Sequence, residues 1–378
     1  MKRLFFIFLI NAVLLSMTHA QRANVLAAYQ LIENGKYAEA KEAIEKATMD
    51  AKTRKWSRTW YARGLLCTEA YEQGVKDNDK KKYELYPDQL YVALESFEKA
   101  LVFSKSERIR EQIKPHYVNL ANEFLSLGTT HYKKKEFPEA VRAFEKGLQI
   151  NQSEILAVAL DTNLLYNTAI AAYQGKDLIT AQKLFSRLNE LNFSSNVTHL
   201  MYTIHMHEGD STEAREVLSE GIEKYNFDED LVLILTDLLY KMDATDDAIS
   251  LLDRAIKADS SNFTFFYTKA LVYQKMEQYS DAIRTFKKAA LLDPEHADTY
   301  KNMGICYYNI SVGYDENAMT ISNNRLYQEE KARSIQSSKE AVRWLEKAYA
   351  LNPSDISVRE MLSELYNSLN MKDKLNRL

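Results

Sequence analysis

The chain has 378 residues, 46% hydrophobic and 27% charged, with a formal net charge of −4. That balance is globular rather than disordered, and a mildly acidic chain without a basic block argues against nucleic acid as a partner. Glycine (10) and proline (5) are scarce, which leaves few turn residues for hairpins and predicts a mostly helical protein.

The first element is a leader. Lys2 and Arg3 precede a nearly all-apolar run from Leu4 to Leu15, and Thr18-His19-Ala20 offers small residues at the two places a signal peptidase reads. Residues 1–20 are therefore expected to be a secretory signal, cut before Gln21. The alternative is an uncleaved membrane anchor, but the apolar run is well short of the roughly 20 residues that span a bilayer, which favours cleavage. No later segment is apolar enough to span, so the mature chain is expected to have no transmembrane segment. It is expected to be exported, with a periplasm preferred to full secretion.

From there one phrase recurs: an Ala, a large apolar residue four positions on, and a small residue three positions further. It reads YAEAKEAIEKA around Ala40, FPEAVRAFEKG around Ala140 and YSDAIRTFKKA around Ala282. Variants surround Ala93, Ala181, Ala214, Ala248 and Ala341, and from Ala181 the steps are 33, 34 and 34 residues. About 12 residues before most of these alanines stands another small residue, such as Ala28, Gly128, Ala169 or Ala270, with large residues such as Phe124, Leu165 or Phe266 four positions earlier. Each unit thus predicts two helices, A then B, each with an apolar stripe interrupted by small residues. Small residues let the helices approach, and the large ones fill the space beside them.

The phrase resembles the tetratricopeptide repeat family. LVYQKMEQYSDAIRTFKKAALLDP (271–294) carries nearly the whole second half of that motif, including the closing Pro294, and Pro353 closes the last unit in AVRWLEKAYALNP. The resemblance implies an all-α solenoid, a right-handed superhelix of about eight helix pairs over 21–353. An amphipathic helix from about Ile356 to Leu369 would cap it, within a tail of 354–378. Stacking is required because no single pair can bury its faces alone.

Three steps are irregular. Extra residues near 76–88 (KDNDKKKYELYPD) place Pro87 to start the second helix of its pair. Extra residues near 310–338 include GYDENAMTISNN (313–324). Both fall inside a helix pair, so both pairs are expected to lengthen and protrude. Near SEILAVALD (153–161) about seven residues are added between pairs, equivalent to two helical turns.

The run IHMHEGD (204–210) suggests a metal site, but His205 and His207 point to opposite sides of a helix, and His199 does not repair the spacing. By alignment with ENGKYAEA (33–40), HEGDSTEA (207–214) is instead an inter-helix turn, with Gly209 as the stop. No metal or cofactor is expected, and no catalytic motif is present. Cys67 and Cys306 are expected to be two separate buried thiols.

Surface is what remains. In the family the concave groove is lined mainly by helix A, one residue beyond the packing stripe. Tyrosine fills eight of the 24 such positions, against about one or two from overall Tyr content: Tyr29, Tyr61, Tyr132, Tyr166, Tyr173, Tyr240, Tyr267 and Tyr308. Tyr suits binding because it offers rigid area and one hydroxyl, although the family pattern also favours Tyr there for packing between neighbouring helices. The family's two-carboxylate clamp has only Lys301 and Asn302 as an echo. The expectation is a non-enzymatic adaptor that binds a protein or peptide in a Tyr-lined groove. The alternative is a structural subunit of an envelope or secretion assembly.

Overall fold

The computed structural model describes residues 23–378, and all regular structure among them is helical. The expected signal and its cut before Gln21 lie outside the described residues. The chain divides into two compact units, one ending at Leu191 and the other running from Asn192 to Leu378.

In the first unit, helix α1 (23–33) pairs with α2 (Tyr37–Met49). Helix α3 (Ser57–Asp77) pairs with α5 (Gln89–Phe103), with the short α4 (Lys80–Tyr83) between them. Then α6 (Glu107–Lys133) pairs with α7 (Phe137–Asn151), and α8 (Thr162–Gln174) with α9 (Leu178–Glu190). In the second unit the pairs are α10 (Ser195–Glu208) with α11 (Ser211–Lys224), and α12 (Glu229–Lys241) with α13 (Thr245–Ala258). They continue with α14 (Phe263–Lys275) with α15 (Tyr279–Leu292), and α16 (Ala297–Met319) with α17 (Asn324–Leu351). Within each unit every second helix also touches the first helix of the next pair. Each unit is thus an all-α stack of helix pairs, the architecture of a solenoid.

The repeated phrase is the core. All eight phrase alanines are fully buried, and the large residue four positions on is buried in every pair: Ile44, Phe97, Phe144, Phe185, Leu218, Leu252, Phe286 and Leu345. Each such side chain contributes about 1.5–3 kcal/mol by leaving water. The small residue on helix A is where that large residue lands. A Cβ on Gly64 would stand 2.6 Å from the Phe97 ring, one on Gly128 2.4 Å from Phe144, and one on Gly304 2.6 Å from Leu345. No side chain fits there at this helix separation. Asp161, Asp177, Asp210, Asp228 and Asn262 each accept a first-turn backbone N–H, which closes the starts of α8, α9, α11, α12 and α14.

After the second unit's last pair, α18 (Ile356–Ser368) lays Val358, Leu362, Leu365 and Tyr366 into the same cluster as Ala341 and Leu345. A short α19 (Lys372–Leu375) follows.

The irregular steps depart from expectation in two places. The first insertion does not lengthen both helices. Helix α3 has 21 residues, but α5 has an ordinary 15, and Pro87 stands before its N-cap, Asp88, which adopts a left-handed φ of 52°. Long-range contacts fold the insertion back. Tyr86 is buried and its hydroxyl donates to Glu45 at 2.8 Å, while Lys41 Nζ donates to the Leu85 carbonyl at 2.6 Å. Gln89 Nε2 donates to the carbonyls of Cys67 and Lys82. Residues 152–161 are not helical; Ile155 and Leu156 pack on the first unit's core as loop residues. In the second insertion both helices are long, 23 and 28 residues, and Lys331 pairs with Asp315 across them at 2.6 Å.

Candidate functional site

The histidine run is a turn. Gly209 ends α10 at φ 80°, in the left-handed region that glycine tolerates, and the Asp210 carboxylate caps α11 through the Glu213 N–H at 3.0 Å. His205 is buried and His207 exposed. Among the described residues no group of three or more His, Cys, Asp or Glu side chains could hold a metal ion. Cys67 and Cys306 are buried free thiols, and burial pushes each up to about 12, so neither is a thiolate nucleophile at neutral pH.

The tyrosines divide between the two units: Tyr29, Tyr61, Tyr132, Tyr166 and Tyr173 in the first, Tyr240, Tyr267 and Tyr308 in the second. In the first unit, helix-A faces of three successive pairs meet. The rings of Tyr29 on α1 and Tyr61 on α3 are 6.3 Å apart. Tyr61 also meets His116 on α6, with ring centroids 5.9 Å apart and Oη 3.3 Å from Nε2. The Tyr29 hydroxyl donates to the Arg58 carbonyl at 3.2 Å. Burial raises the pKa of both tyrosines and lowers that of His116, so all three are neutral at pH 7. Beside them α1, α3 and α6 enclose an open cleft of about 620 Å³.

The other tyrosines are held within their own neighbourhoods. Tyr132 sets its ring edge against Phe137 at 5.6 Å, and Tyr173 against Phe185 at 6.4 Å. Tyr166 is half-buried. Tyr267 is half-buried: Phe263, His296 and Phe286 stand around its ring at 5.5, 4.9 and 5.7 Å, and Asn302 Nδ2 donates to its hydroxyl at 3.1 Å. Tyr308 packs against the second unit's core. Tyr240 is 37% exposed, with Lys275 Nζ 4.2 Å from its ring centre. The structure thus brings Tyr29 and Tyr61 to one cleft, and it shows most of the others also serving as packing between helices.

Sequence reasoning missed Trp56, Arg58 and Arg108, which line the same cleft. Arg58 lies three residues before Tyr61, one turn ahead of the positions the stripe defines, so extending the stripe backwards finds it. Arg108 lies on α6, far in sequence, and only the stacking of pairs places it there.

No helix among the described residues is long and apolar enough to cross a membrane. Helix pairs with this small-and-large register define a tetratricopeptide-type repeat protein. Residues 91–369, more than half of the chain, match the family model described as ChAPs (Chs5p-Arf1p-binding proteins), and the chain belongs to that family. A curated relative, TPR repeat-containing protein YpiA of Bacillus subtilis (strain 168), is 25% identical over 212 residues, covering 55% of this chain and 47% of its own. The chain therefore spans about half the length of that relative. Among solved structures, YrrB, a TPR protein with an unusual peptide-binding site, is 18% identical, with 58% of this chain and 97% of YrrB covered and a TM-score of 0.37. A TPR repeats protein (BF2334) of Bacteroides fragilis NCTC 9343 is 17% identical, with 66% and 98% covered and a TM-score of 0.37. Proteins built of such repeats are in general interaction scaffolds rather than enzymes, and nothing here shows catalytic activity.

Proposed function

We propose that the chain is a non-enzymatic adaptor that holds a protein or peptide partner against helix-A faces carrying Tyr61, Tyr132, Tyr166, Tyr173, Tyr240, Tyr267 and Tyr308. The observation that carries this reading is the open cleft beside Tyr29 and Tyr61. It offers rigid aromatic area and neutral hydroxyls, which suit apolar and hydrogen-bond contacts with an extended segment. The family's name, Chs5p-Arf1p-binding proteins, also refers to protein partners. The leader-like residues 1–20 are what supports a periplasmic setting for this work. The solenoid is proposed to run over 21–353, followed by the capping helix and tail of 354–378.

Pull-down of partners from the native envelope tests the reading. Alanine at Tyr61, Tyr166, Tyr173 and Tyr267 abolishes capture if the helix-A faces bind; unchanged capture by a folded variant rejects them. A second reading, a structural subunit of an envelope assembly, draws on the α16–α17 hairpin, where Met319 is 81% and Leu326 47% exposed. Deleting 313–335 would then disrupt assembly and leave capture intact.

A further inference from the structure

We propose that the cleft among α1, α3 and α6 is a docking site for an acidic segment of a partner protein, one in which a carboxylate lies next to an apolar side chain. This rests on the adaptor reading and specifies its ligand at one end of the first unit. The cleft, of about 620 Å³, has an aromatic side formed by Tyr29, Trp56 and Tyr61 and carries Arg58 and Arg108 beside it. Glu33 is the one acidic side chain among the described residues that line it.

The two arginines are the informative residues. Both are exposed, and among the described residues neither forms an ion pair, although ion pairs are frequent elsewhere on this surface. The Arg58 guanidinium lies 5.7 Å from the Trp56 ring, which leaves its N–H donors unused by any carboxylate. Lys52, Arg54, Lys55 and Lys105 are exposed, lie near lining residues in sequence and are also outside any ion pair among the described residues. The nearby acids do not balance them. Asp50, Glu107 and Glu111, with the lining Glu33, are outnumbered by Lys52, Arg54, Lys55, Arg58, Lys105 and Arg108. In a chain of net charge −4 this is a local cationic field, and an acidic ligand is the charge that complements it. Arginine presents a planar fork of donors that matches a carboxylate, and Tyr and Trp beside it take the apolar neighbour. Charge alone would equally suit an anionic membrane. Shape favours the peptide: a concave cleft of this size admits a side chain or an extended strand, whereas a flat bilayer reaches only its rim.

Selection of a random peptide display library on the purified protein tests the assignment. Expected are peptides enriched in Asp or Glu beside an aromatic or aliphatic residue. A synthetic copy of the leading peptide should bind at least about tenfold more weakly to the R58E/R108E variant, and binding should fall as salt is raised. Both sites are exposed, so the variant should keep its unfolding transition, and Arg58→Lys should retain partial binding. Peptides without acidic enrichment, or with affinity unchanged in R58E/R108E, would overturn the assignment. Peptides that depend on Tyr267 but not on the arginines would overturn it while leaving the adaptor reading intact. Binding to phosphatidylglycerol vesicles that R58E/R108E abolishes, with no acidic peptide selected, would also overturn it, in favour of a membrane surface.

Discussion

Replacing Gly128 with alanine puts the packing register to a sign test. Gly128 sits inside α6 opposite Phe144 of α7, and an added Cβ would lie 2.4 and 2.5 Å from two ring carbons and 3.0 Å from a third. Carbon atoms prefer about 3.5–4.0 Å, so the overlap exceeds 1 Å by this estimate. Phe144 is 3% exposed, so the ring has no free space to swing into. Overpacking costs about 1–3 kcal/mol, and an overlap of this size against a ring with no free space falls towards the upper end, while Gly→Ala in a helix interior returns about 1 kcal/mol. The net loss is about 1–2 kcal/mol, or a few degrees of Tm at about 2–4 °C per kcal/mol for a unit of this size. Gly313 is the control. It also sits inside a helix, α16, but an added Cβ meets nothing within 4 Å. Gly313→Ala should therefore stabilise by about 0.5–1 kcal/mol. Urea titration followed by circular dichroism reads both, and Phe144→Leu should rescue part of the G128A loss. If G128A stabilises as much as G313A, Gly128 does not face Phe144 and the helix register is wrong.

Three further outcomes are expected. Gly209→Ala should destabilise by about 1–2 kcal/mol through its positive φ alone, because nothing crowds the position; an unchanged urea midpoint would contradict the turn. For Glu45, burial pushes the carboxyl up, but hydrogen bonds from Arg63 and Tyr86 and the Arg63 charge outweigh it, so its pKa falls. Tyr86→Phe should cost about 0.5–1.5 kcal/mol and speed amide exchange over 79–88, while an unaltered exchange rate would show that the insertion is held by something else. Asp355 is held down to about 2, chiefly by the Lys301 ammonium at 2.8 Å and then by Ser357. A depressed carboxylate pKa stabilises the fold above its unfolded value of about 3.9, and the contribution is lost as pH falls from there towards 2. The stability gap between the native protein and Lys301→Ala should accordingly shrink below about pH 4; a constant gap down to pH 2 would refute the pairing.

Much of the fold was legible because the repeat is local. Ala140, Phe144 and Gly147 lie on one turn-spaced stripe, and 3.6-residue periodicity exposes them without any knowledge of partners. Gly209 was legible for the same reason, as glycine before an Asp cap. What escaped depends on distant contacts. The fold-back at Tyr86 is made by Glu45, 41 residues away, and by Gln89 reaching Cys67. The loop at 152–161 is pinned by Ile155 and Leu156 on a core whose shape the local pattern does not define. The site was half legible. The tyrosine stripe points to helix A, and Tyr29 with Tyr61 do share a cleft. The embedding of Tyr267 among Phe263, His296 and Phe286 shows that the same residue type also serves packing, which periodicity alone does not separate from binding.

Photocrosslinking in the native cell tests the central claim most directly. A photoreactive amino acid at Tyr61, Tyr166, Tyr173 or Tyr267 should give adducts with a discrete partner protein, identified by mass spectrometry. The same group at Ile179, an exposed position on a second helix, should give none. Adducts from Ile179 with silence at the four tyrosines would contradict a partner held on the helix-A faces.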